Sequence, residues 1–251
     1  MTFGAAVAIV AAGLAAGTIN TIVGSGSLIT FPTLLALGYA PVVANVSNTI
    51  GLVPGSISGT IGYRRELEGQ AARVKTLGVA SIAGGLTGGI LLLALPGSVF
   101  RDIVPVLILV ACALVALQPR LAKRAANRPG GRREHGGPLL FATVFGTGVY
   151  GGYFGAAQGV ILIALLGIFI DDTLQRLNAA KNLLAALVNG VAAVLFAVAA
   201  HVAWGAAALL AAGAIVGGQV GATVGRRIPA PVLRVIIIVV GTVVAVRLLI
   251  P

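Results

Sequence analysis

The chain has 251 residues, of which 58% are hydrophobic and 9% charged, with a mean hydropathy of +1.06, too few charges to coat a water-soluble globule. Seventeen Lys and Arg against six Asp and Glu give +11; in a soluble chain this would point to nucleic acid, but uncharged stretches of about 20 residues turn the excess into a marker of membrane topology. The single cysteine, Cys112, and two separated histidines, His135 and His201, build neither an internal disulfide nor a zinc site, so no metal and no other cofactor is expected.

Apolar runs separated by polar breaks predict helical segments at 3–23, 26–38, 41–62, 76–95, 101–117, 138–154, 157–170, 178–200, 204–225 and 232–250. Most reach the ~20 residues that cross a bilayer. The segment 26–38 spans only about 20 Å at ~1.5 Å per residue and is a half-helix candidate. The pair 138–154 and 157–170 is similarly interrupted, at Gly151, Gly152 and Gly155. No basic stretch precedes the first apolar run, so a signal peptide is not expected.

Lys and Arg collect in short cytoplasmic loops. The loops 63–75 (Arg64, Arg65, Arg73, Lys75), 118–137 (Arg120, Lys123, Arg124, Arg128, Arg132, Arg133) and 226–231 (Arg226, Arg227) are therefore expected on the cytoplasmic side. With this orientation 41–62 runs inward, 76–95 outward and 101–117 inward, whereas 178–200 runs outward, 204–225 inward and 232–250 outward. An ungapped shift of 133 residues also matches Asn45 with Asn178, Gly84 and Gly88 with Gly217 and Gly221, Pro96 with Pro229, and Arg101 with Arg234. The expected fold is an all-α integral membrane protein of two inverted-topology repeats. Each is a short broken-helix pair plus three transmembrane helices: repeat 1 over 1–117, a basic cytoplasmic linker over 118–137, and repeat 2 over 138–251. Secondary transporters use this architecture, with broken helices meeting near the midplane; channels can share it.

Two constellations carry the chemistry. The first break contains Asn20, Gly24, Ser25, Gly26 and Ser27 just before the short helix; the second contains Gly155 and Gln158, with Gln158 opposite Ser25 under the shift. Helix N-termini with free N–H groups favour an anion, while the bland alternative is that these glycines serve helix packing. The second constellation is Asn45 and Asn48 with their counterparts Asn178, Lys181 and Asn182. Spacings of three and four place such residues on one helix face. Lys181 lies about one turn inside a span with no acidic residue in the interior of any span to neutralise it, Asp102 standing at the very start of 101–117, so an anionic substrate is its natural partner; snorkelling to the headgroups is the alternative. Asn189, deeper in the same helix, reads equally as an interhelical hydrogen bond. Asp171 and Asp172 are expected to cap the helix that follows, and Trp204 to anchor at an interface. Without a Ser/His/Asp set, a carboxylate pair or a phosphate-binding loop, the sequence points to neither an enzyme nor an ATP-driven pump.

The residues from Ala16 to Pro32, then Ala44-Asn45-Val46-Ser47-Asn48, Pro54-Gly55-Ser56 leading to Tyr63-Arg64-Arg65, Gly151-Gly152-Tyr153-Phe154-Gly155 and Asn178-Ala179-Ala180-Lys181-Asn182 resemble the sulfite exporter TauE/SafE family of membrane permeases. The resemblance implies a multi-pass transporter of the bacterial inner membrane that moves small anions such as sulfite or organosulfonates. The expected mechanism is alternating access between the two repeats. No carboxylate within a span marks a proton carrier, so the coupling ion, protons included, stays open, as does the oligomeric state. An anion channel and a scaffold subunit that transports nothing are the two rivals.

Overall fold

The computed structural model describes residues 1–126 and 137–223, together with 235, 238–243 and 245–246. Among these the secondary structure is entirely helical: α1 Phe3–Ile22, α2 Ser27–Ala36, α3 Pro41–Gly62, α4 Ala71–Ala94, α5 Gly97–Ala126, α6 Gly137–Tyr153, α7 Gln158–Phe169, α8 Leu174–Ala199 and α9 Trp204–Thr223, with a 3-10 turn at Arg64–Leu67. Five of them, α1, α4, α5, α8 and α9, are long and apolar enough to cross a membrane. The 10 residues of α2 and 12 of α7 span only about 15–18 Å, in line with the short helices expected from their apolar runs. The loop 226–231, most of the segment 232–250 and linker residues 127–136 lie outside the described residues.

Small residues decide which helices pair, since in lipid a close backbone approach replaces hydrophobic drive. Gly13 and Gly17 of α1 meet the backbone of Leu210 and Ala214 of α9, and Gly51 and Gly55 of α3 meet the same stretch of α9. Contacts that advance together along both chains mean that α1, α3 and α9 run parallel. Likewise Gly84 and Gly88 of α4 meet Phe145, Gly148 and Val149 of α6, while Gly85 and Gly89 of α4 meet Val188 and Phe196 of α8; α4, α6 and α8 form a second parallel set. The two bundles run in opposite directions, because Ser47 near the start of α3 accepts the Ala203 N–H beyond the end of α8, whereas Asn178 near the start of α8 donates to Thr21 at the end of α1. Each bundle therefore mixes the chain's halves. α9 sits with α1 and α3, and α4 sits with α6 and α8.

Two expectations about boundaries need correction. The helix expected at 76 begins at Ala71, so Arg73 and Lys75 belong to α4 and not to the loop, and α5 continues past 117 to Ala126. Arg73 can be helical and 7% exposed because its guanidinium bonds Asp172 at 2.8 Å and the Gln70 side chain at 2.8 Å. Asp172 is accordingly not the helix cap. Thr173 is the N-cap of α8, accepting the Arg176 N–H, while Asp172 pairs with Arg73 and, at 2.9 Å, with Arg176. Burial raises the Asp172 pKa, but the hydrogen bonds from Arg73, the Thr173 N–H and Arg176, with the Arg176 charge, outweigh it and hold the carboxyl below its ordinary value.

Candidate functional site

The two chain breaks are built alike. At the end of α1 the N–H groups of Val23 and Gly24 both return to the Ile19 carbonyl, with Gly24 at φ 90°; at the end of α6 those of Phe154 and Gly155 both return to Tyr150, with Gly155 at φ 78°. This is a glycine-terminated helix end in which the left-handed residue reverses the chain. The equivalence runs at 131 residues, not 133, because α7 is two residues longer than α2. Gln158 thus takes the place of Ser27, not of Ser25. The breaks touch: the Gly159 N–H donates to the Gly24 carbonyl at 3.1 Å, and a Cβ on Gly24 would overlap the Gly159 backbone.

The carbonyls left over at these helix ends are satisfied from the opposite bundle. Thr21 O accepts from Asn178 Nδ2 at 3.1 Å, Lys181 Nζ at 3.3 Å and Asn182 Nδ2 at 3.3 Å, and Asn20 O accepts from Lys181 Nζ at 3.0 Å. On the other side Tyr153 O accepts from Asn45 Nδ2 at 2.9 Å. A cation beside carbonyls at a helix C-terminus also complements the dipole, so Lys181 has a partner that the sequence did not disclose. It is 1% exposed and does not snorkel to a surface. The helix starts offer less than expected, since the Gly26 N–H is taken by Asn20 Oδ1 at 2.6 Å and the Gly159 N–H by Gly24. Donors to a ligand must come chiefly from side chains.

Between the breaks and α8 lies a small polar cleft. Seven of the expected site residues line it: Asn20, Gly24, Ser27, Gly155, Gln158, Lys181 and Asn182. The other five stand outside its lining. Asn45 and Asn178 cap helix ends, Asn48 joins α3 to α2 through Thr30 and through Ser27 Oγ at 3.3 Å, Gly26 bonds Asn20, and Ser25 is 1% exposed with its hydroxyl unpartnered among the described residues. Gln158 is 2% exposed, folded over Gly151, and its amide nitrogen has no partner among the described residues. Buried polar atoms are rarely left so without a reason. The lining also includes Ser56 and Asn189. Asn189 was findable: with Lys181 and Ala185 it repeats every four residues, one stripe of α8. Among the described residues lining the cleft, Lys181 is the only charged one.

The sequence profile described as "Sulfite exporter TauE/SafE" matches residues 9–248 of the chain. The chain is 30% identical over 191 residues, 75% of its own length and 69% of the relative's, to the probable membrane transporter protein YfcA of Escherichia coli strain K12. It is 24% identical over 194 residues, 76% and 74% of the two chains, to a probable membrane transporter protein of Haemophilus influenzae, and 30% identical over 106 residues, 42% and 41%, to the probable membrane transporter protein ORF9 of a Sinorhizobium species. No solved structure matches the chain. With five helices able to cross a bilayer and a match over most of its length, the chain belongs to the sulfite exporter TauE/SafE family and is a multi-pass membrane transporter.

Proposed function

We propose that the protein is a secondary transporter, working as an exporter, for a small oxyanion of the sulfite or organosulfonate class, bound in the cleft by Lys181, Gln158, Asn182 and Ser27. The observation that carries this reading is the buried Lys181 ammonium in a cleft with no carboxylate among the described residues that line it. A buried charge is costly without a counter-charge, and a substrate anion supplies one. The unpartnered Gln158 amide adds a neutral donor beside it, and the family description names sulfite. The coupling ion, protons among the candidates, follows from no residue here.

Two inverted repeats fit the helix pairing. Under the shift, α1 on α9 is the counterpart of α6 on α4, and α3 on α9 that of α8 on α4. The moving bodies in alternating access are then the two bundles and not the two sequence halves, since α4 and α9 are exchanged between halves. The basic turn 64–67 and the linker face the cytoplasm of a bacterial inner membrane under the positive-inside rule. Proteoliposomes test the transport reading: saturable sulfite or methanesulfonate flux, accelerated by unlabelled anion on the far side, is expected, and Lys181→Met abolishes it. Saturable flux unchanged in that variant would remove Lys181 from the site. Flux without exchange acceleration would mark a channel.

A further inference from the structure

We infer that Lys181 is a latch as well as a ligand: its ammonium holds the end of α1 to α8, and an arriving anion loosens that hold by competing for the same donors. This rests on the anion-binding reading of the cleft. Lys181 belongs to one bundle and the carbonyls of Asn20 and Thr21 to the other. The Thr21 oxygen collects three donors, from Asn178, Lys181 and Asn182, and two of these side chains, Lys181 and Asn182, also line the cleft. An ammonium and an amide shared between a neutral carbonyl and an oxyanion shift toward the charged acceptor, because charge-assisted hydrogen bonds are about twice as strong as neutral ones.

The rest of the molecule fits a one-sided device. The corresponding contact at the end of α6 is a single amide, Asn45 to Tyr153 O, and Asn48, the counterpart of Lys181 under the shift, is turned to Thr30 and Ser27 of α2 instead. The latch lies two residues from a buried cluster between bundles, in which Ala179 of α8 is grouped with Tyr63 at the end of α3 and Ala222 of α9. Release of Thr21 therefore opens the seam at Ala179.

The test places a cysteine there, Ala179→Cys with the buried Cys112 changed to Ala, in the full-length protein in nanodiscs. A water-soluble maleimide reaches both faces, so the result does not depend on orientation. Saturating methanesulfonate, which unlike sulfite does not add to a maleimide, is expected to raise the labelling rate about five-fold or more, the lower range of typical site-to-site coupling, and Asn178→Ala to raise the anion-free rate while leaving methanesulfonate affinity equal or tighter, because Asn178 holds the latch but does not line the cleft. Binding of sulfite or methanesulfonate is followed in parallel by thermal shift. If neither anion binds, the site reading falls and the latch with it. If methanesulfonate binds and labelling is unchanged, the latch alone is overturned. Weaker binding in Asn178→Ala also overturns it; Asn178→Ser replaces that variant if it does not fold, and the Ala179→Cys protein without a latch substitution decides the matter by itself.

Discussion

The meeting of the two breaks makes a steric prediction. In Gly159→Ala the new methyl would sit 2.5 Å from Gly24 Cα, 3.0 Å from its carbonyl oxygen and 3.2 Å from its carbonyl carbon. Ordinary carbon contacts lie at about 3.5–4.0 Å, so the breaks must part by about 1 Å, and every atom in the way is backbone. Overpacking of this kind costs about 1–3 kcal/mol, and stretching the 3.1 Å bond from Gly159 N–H to Gly24 O forfeits about another 1 kcal/mol. Set against a helix-propensity gain below 1 kcal/mol at the first turn of α7, the net is a destabilisation of about 2 kcal/mol, with a displaced cleft. Gly190→Ala is the matched control: it lies within α8 with no atom within 4 Å of the added carbon, and it should stabilise by about 0.5–1 kcal/mol. Thermal unfolding of both variants, read with sulfite flux in proteoliposomes, checks the pair. Gly159→Ala melting and transporting like Gly190→Ala would refute contact between the breaks.

Three further outcomes follow. Gln158→Leu should keep or raise the melting temperature, because it removes a buried amide nitrogen without a partner that costs about 1–3 kcal/mol, while weakening sulfite binding in the thermal-shift titration; a lower melting temperature with unchanged binding would make Gln158 a packing residue. Asp172→Ala should cost about 3 kcal/mol in the same melts, since it takes away the carboxylate bound by both Arg73 and Arg176. Because the folded Asp172 pKa is lowered from 3.8, its contribution is fully present above about pH 4 and is lost as pH falls through the folded value; the unmodified protein should therefore lose stability in that acid range more steeply than Asp172→Asn, and equal slopes would contradict the assignment.

Much of this molecule is written in local chemistry. The short helix predicted at 26–38 folds over Ser27–Ala36, because a glycine able to adopt a left-handed turn ends α1 and Gly38, at φ 88°, ends the return. Lys181 stands out in the sequence as a charge inside an apolar run, and it is buried against the cleft. What stayed hidden depends on which helices become neighbours. Any apolar helix suits any other in a hydrophobicity profile, so the exchange of α4 and α9 between bundles was not legible, although the glycines that permit it were visible. For the same reason Asn45 and Asn178 read as ligands: an asparagine that caps another helix's carbonyl has the same spacing as one that faces a substrate. Arg73 was placed in a loop because its partner Asp172 lies 99 residues away, and the register of the second break was misjudged because its two extra residues fall inside α7, where no polar residue marks them.

The central claim is that an anion binds the Lys181 cleft and is carried across. The most direct measurement is sulfite counter-flow in proteoliposomes for the unmodified protein and Lys181→Met, with folding of both confirmed by melting. The account predicts saturable, exchange-accelerated sulfite or methanesulfonate flux in the first, and a loss of at least about 30-fold in the second, the lower range for removing one partner of a buried charged pair. Equal flux from both proteins, or none from the unmodified protein with any small oxyanion, would contradict it.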